Sequence, residues 1–185
     1  VAQALGSLEA LVPLAALLAD VGEFEAADRT YWKAIERYRD VSPFAYAWVC
    51  FQLGVLWGET MPAPDPDRAA YWYQLALDYL PAYTHARVHL AEIYADAGEL
   101  DDALALLQPV EASADPEMGW RLSQVLAAQG QSAQAAWQLA ATRSHYETLL
   151  SRHKLAFADH AAEFYLGSGA DPQRAFDLAR ANLEN

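Results

Sequence analysis

Residues 90–107 read LAEIYADAGELDDALALL, and the fold is decided there. Leu90, Ala91 and Tyr94 share one helical face, Gly98 marks a tight turn, Leu100 follows it, and Ala103 and Leu107 stand four apart on a second helix. Extended outward, the unit opens at Tyr83 and closes where Asp115-Pro116 starts its successor, a length of 34 residues.

Upstream, Leu14, Ala15, Leu18, Gly22, Phe24, Ala27, Tyr31 and Ala34 repeat the order of Leu90, Ala91, Tyr94, Gly98, Leu100, Ala103, Leu107 and Val110. The pattern has a mechanical cause. Small residues at Ala15 and Ala27 let two antiparallel helices approach, while Phe24 and Tyr31 fill the gaps between them. The second helix of this unit is expected to run to Asp40, with Ser42-Pro43 starting the next. The second unit is longer, and Met61-Pro62-Ala63-Pro64-Asp65-Pro66 cannot be helical, so residues 58–67 read as the most irregular and most mobile connection. Around it Phe44, Trp48, Phe51, Trp57, Trp72, Tyr73 and Tyr79 are expected to form an aromatic core. Beyond Pro116, Leu122, Leu126, Gly130, Ala135 and Leu139 keep the spacing, and the helix carrying Trp137, Tyr146 and Leu150 runs on towards His153. A fifth pair is expected from Phe157, Ala161, Ala162 and Tyr165, with a turn at Gly167 and Gly169 and a last helix from Asp171-Pro172 through Ala175 and Leu178. Its stripe at Ala179 and Leu183 has no following helix to cover it, so the chain reads as a fragment of a longer one.

This order of residues resembles the tetratricopeptide repeat, and the segments 40–44 and 165–175 look like those of a group of bacterial proteins built from it. The resemblance implies an all-α, right-handed superhelix, an α-solenoid of antiparallel helix pairs. Five repeats are expected in a single domain over 1–185, at about 5–41, 42–82, 83–114, 115–152 and 153–185. It also implies a role in protein binding and no enzymatic activity. In such arrays the first helix of each pair lines a concave groove. The positions so implied are Tyr46, Val49 and Leu53; His85, Val88, His89 and Glu92; Glu117, Trp120, Arg121 and Gln124; and Asp159 and Glu163. Family members that grip acidic carboxylate tails use Lys, Asn and Arg at such places, and only Arg121 matches, so a tail clamp is not implied.

Composition sets the kind of partner. Of 185 residues, 54% are hydrophobic and 20% charged, enough to build a continuous core. A formal charge of -13 argues against nucleic acid and anionic lipid surfaces. A peptide or protein segment with apolar and basic residues fits the apolar, acidic groove better than an acidic one. No apolar run is long enough for membrane insertion, so a soluble chain is expected, cytoplasmic or periplasmic. The single cysteine, Cys50, sits in an apolar run and reads as a small core residue.

The sharpest polar constellation is His85, His89, Glu92 and Asp96, spaced four, three and four along one helix face. Imidazoles and carboxylates at those offsets can ligate a divalent metal. No catalytic metal signature, phosphate loop or nucleophile elbow accompanies them, and no cofactor is expected. Three readings stand: an interaction scaffold, a metal-binding module or metal enzyme centred on His85, His89 and Glu92, and a structural segment that self-associates through its C-terminal helix.

Overall fold

The computed structural model describes residues 7–39, 41–108, 113 and 115–183; Asp40 and Val110, named above in the repeat, lie outside them. Every element among the described residues is helical. In chain order they are α1 (Leu8–Asp20), α2 (Phe24–Arg37), α3 (Pro43–Val55), a π-helical turn (Leu56–Thr60), α4 (Pro66–Tyr79), α5 (Thr84–Asp96), α6 (Leu100–Leu107), α7 (Pro116–Ala128), α8 (Ser132–Leu166) and α9 (Pro172–Leu183). The fold is all-α, with helices in antiparallel pairs. Two compact units divide the chain, Val1–Ile93 and Tyr94–Asn185. In the first, α1 packs on α2 and α3 on α4; in the second, α7 packs on α8 and α8 on α9. No helix among the described residues is long and apolar enough to cross a membrane.

Three of the turns are the same object. Helices α1, α5 and α7 each end in a glycine with positive φ: Gly22 at 84°, Gly98 at 80° and Gly130 at 78°. Each glycine N–H donates to the carbonyl three residues back (Ala19, Ala95, Ala127). The next residue donates to the carbonyl five back, on Leu18, Tyr94 and Leu126. This paired bonding satisfies carbonyls that the helix leaves open, and only glycine enters the left-handed region there without strain. A Cβ at Gly98 would meet nothing within 4 Å, so the strain is conformational alone. Gly98→Ala should therefore cost about 1–2 kcal/mol, read as a shift of the urea midpoint with unchanged slope; no shift would mean the turn is not held in that conformation.

Helix starts repeat as well. Asp65, Asp115 and Asp171 each precede a proline at the first helical position, and their carboxylates accept backbone N–H bonds from Arg68, Glu117 and Arg174 at 3.0 Å. Ser42 stands in the same place before Pro43, yet its side chain makes no capping bond.

The structure departs from the sequence expectation in four places. Past α3 the helix widens into the π turn, whose residues the sequence reading assigned partly to a loop. Bonds from Met61 N–H to Leu56 O and from Asp65 N–H to Trp57 O hold it. Second, the helices expected on either side of His153 are joined by a sharp kink at that residue alone, with neither glycine nor proline in Ser132–Leu166, and the chain doubles back so that Tyr146 stacks on Phe164 with ring centroids 4.9 Å apart. Only His153 leaves helical geometry, at φ -142° and ψ 53°. Third, at the last turn the left-handed residue is Ala170 (φ 49°), not Gly167 or Gly169. Fourth, the aromatic core of the second pair is narrower than expected: Phe51, Trp72 and Tyr73 are buried, whereas Phe44 and Tyr79 are exposed.

Alanines set the helix separation. Ala15, Ala27, Ala47 and Ala76 in the first unit, and Ala103, Ala158 and Ala161 in the second, are fully buried. Cys50 lies among them, and burial pushes its thiol up to about 12, so it stays protonated and unreactive at neutral pH.

Candidate functional site

In the first unit, the π turn aims Glu59 back over α4 and α5. Its Oε1 accepts the Tyr73 hydroxyl at 3.1 Å and lies 2.7 Å from His89 Nδ1. Burial first, and the Glu59 carboxylate second, raise the Tyr73 phenol well above its ordinary range, which keeps it a donor. His89 packs edge-on to Phe51, with ring centroids 5.2 Å apart, and 5.4 Å from Tyr73; His85 lies 5.9 Å from Phe51. Beside this cluster Asp28 accepts the Trp57 indole N–H at 2.8 Å, and the Arg68 guanidinium sits 3.4 Å over the Trp57 ring. The π turn is thus tied to α2, α4 and α5 by its side chains.

In the second unit, Glu117 is buried at the first turn of α7. Arg121 one turn on approaches it at 3.4 Å, and His160 of α8 at 3.8 Å. Arg121 also lies flat over Trp120, 3.8 Å from the ring centroid. Trp120 is only 5% exposed: it packs edge-on to Phe164 and donates its indole N–H to Ser168 Oγ at 2.9 Å. Gln124 donates to the same hydroxyl at 3.2 Å. Asp159 and Glu163 are exposed on α8.

Residues 63–118 match the tetratricopeptide-repeat family. That segment is a tetratricopeptide-repeat (TPR) match, and the chain as a whole has a TPR-like fold. Its fold is similar to that of a crystal structure of MamA protein, with 16% identity, a TM-score of 0.61, and coverage of 96% of this chain and 90% of that one. It is also similar to MamA from Desulfovibrio magneticus RS-1 (14% identity, TM-score 0.60, 96% and 93% covered). A third likeness is to TTC0263, a thermophilic TPR protein in Thermus thermophilus (17% identity, TM-score 0.55, 96% and 90% covered). At these identities the likeness is one of fold. No curated protein matches the chain by sequence.

The TPR frame explains where the expected groove residues fall. Val49, Leu53 and Val88 are 0% exposed, so they are packing residues of their helix pairs and cannot receive a partner. Trp120 is likewise a core ring, and Glu117 is buried in its own ion pair. The cause is shared: an inner helix touches neighbours on two sides, so apolar positions between the pair-packing residues are also covered. Tyr46 is half-buried and stacks on Tyr79 with centroids 4.0 Å apart. His85, Gln124, Asp159 and Glu163 remain exposed, and His89, Glu92 and Arg121 are partly so.

Among the described residues, His85, His89 and Glu92 bring no three ligand atoms together; His89 turns to Glu59, and Asp96 ends its helix in solvent. Glu59, His160 and Ser168 are the polar residues the sequence reading missed. Their partners stand 30, 43 and 48 positions away, so no local pattern announces them.

Proposed function

We propose that this protein is a non-enzymatic scaffold that binds a segment of another protein, apolar and basic rather than acidic in character. The observation that carries the reading is the repeat match over residues 63–118 in a chain whose formal charge is -13. Helix pairs of this kind generally serve protein–protein interaction, because packing consumes one face of each helix and leaves the other free to vary. In the first unit His85 is exposed, and His89, Glu92 and Tyr46 are partly so. In the second, Gln124, Asp159 and Glu163 present mainly acceptors. Acidic surfaces attract Lys- and Arg-bearing segments and repel carboxylate tails.

Isothermal titration with sequence-scrambled sets of 15-residue peptides tests this. Basic, partly apolar peptides should bind, and their affinity should fall as salt rises from 50 to 500 mM, since exposed charges are screened. Tighter binding of acidic peptides, or no peptide binding at all, would overturn the reading.

A further inference from the structure

A cleft of about 340 Å³ opens in the second unit between the start of α7 and the middle of α8. That is the small end of ligand pockets, which run from roughly 300 to 1,000 Å³, and suits one long side chain better than a whole small molecule. Asp115, Gly119, Trp137, Thr142 and His145 are among its walls. Four observations there point the same way.

Thr142 is 2% exposed, and its hydroxyl has no hydrogen-bond partner among the described residues. A buried hydroxyl left unbonded is costly, so this one is waiting for a partner that can reach it. Gly119 bears on the same spot: a Cβ at that position would lie 2.5 Å from Thr142 Oγ1 and 2.6 Å from Gln138 Nε2, so any larger residue would crowd the hydroxyl. Trp137 stands at the mouth 69% exposed, a large flat ring in solvent that the core does not use. Asp115 supplies negative charge, and no Lys or Arg lines the cleft among the described residues. The nearest cation along α8, Arg143, is turned to the Gly169 carbonyl and the rings of Phe164 and Tyr165.

We infer that this cleft accepts an arginine side chain from the bound partner segment. The inference rests on the scaffold reading above and names the group recognised. A guanidinium is planar, so it lies against the Trp137 indole while its methylene stem covers Pro116 and Leu122. Its five donors reach acceptors at different depths, Asp115 at the rim and the Thr142 hydroxyl on the floor. A lysine ammonium offers the charge without the flat face. An anion is excluded because the α7 N-terminus already holds its own Asp115 carboxylate, through the Glu117 N–H at 3.0 Å.

The test uses capped amino acids and the whole chain. N-acetyl-arginine amide is titrated against ¹⁵N-labelled protein, following the Trp137 indole and Ala141 amide signals, with the norleucine, lysine and glutamate analogues as comparisons. Saturable shifts are expected for arginine, at an affinity at least fivefold tighter than for norleucine. Thr142→Val and Asp115→Asn should each weaken binding threefold or more, and Trp137→Ala should remove it, read at Ala141. None of these threatens folding: asparagine also caps a helix, valine replaces an unbonded hydroxyl, and Trp137 is in solvent. Unsaturable shifts, an equal response to norleucine, tighter binding of glutamate, or unchanged affinity in all three variants would overturn the inference. The two readings fail separately. If basic peptides bind but replacing their arginines by norleucine changes neither affinity nor the Trp137 signal, the arginine site falls and the scaffold stands. If the capped arginine enters the cleft but no peptide binds, the scaffold reading falls instead.

Discussion

Trp120→Ala should destabilise the second unit by about 3–5 kcal/mol, the range for deleting a large aromatic from a packed core. The ring belongs to a buried cluster with Tyr146, Leu150, Ala158, Ala161, Phe164, Tyr165, Ala175 and Leu178, drawn from α7, α8 and α9. Alanine would leave a cavity where α7 meets the second half of α8. It would also strip Ser168 of the indole donor and Arg121 of the surface it lies on. Urea unfolding followed by circular dichroism measures the effect. An unchanged midpoint would mean that Trp120 is an accessible residue, as the repeat spacing alone suggested, and would restore it as a partner anchor.

Adding one methyl group to the first unit should be nearly as damaging. A Cβ at Gly54 would lie 2.3 Å from Tyr73 Cε1 and 2.5 Å from Cδ1. The ring has nowhere to go, because Tyr73 is buried and its hydroxyl is held by Glu59. Gly54→Ala must therefore push α3 away from α4, an overpacking that costs about 3 kcal/mol. The double variant with Tyr73→Leu should recover part of this by removing the atoms that clash, although the Glu59 contact goes with them. Should Gly54→Ala melt like the parent protein, the close approach of α3 and α4 would be wrong.

What was legible in the sequence was what local chemistry decides. Gly22, Gly98 and Gly130 announce their turns because only glycine bears that backbone, and Asp65, Asp115 and Asp171 announce helix starts because each stands before a proline. Alanine spacing placed the pairs, since a close crossing needs a small side chain wherever it occurs. The expected binding residues fared differently. Val49, Leu53, Val88 and Trp120 have the right offsets for a groove, but an offset cannot tell a helix face left open from one covered by the next pair. The π turn was hidden for another reason. Nothing in Leu56–Thr60 demands a wider helix; its support comes from Asp28, Tyr73 and His89, which meet it only once the unit has folded. The cleft at Thr142 was invisible because a threonine on a helix looks the same in sequence whether or not its hydroxyl has found a partner.

The kink at His153 has a consequence for how this part of the chain can change. Tyr146 and Phe164 stack with ring centroids 4.9 Å apart, whereas 18 residues of unbroken helix would hold them about 27 Å apart, so α8 doubles back and its two halves pack on each other. Glu147 meets Tyr165 and Arg174 across the same fold. An insertion within either half would rotate the residues beyond it by about 100°, swinging them off the face they bury. At His153, exposed and already outside helical geometry, an added residue only lengthens a connection. Natural or designed variants should therefore gain or lose length at the kink and differ by substitution on either side of it.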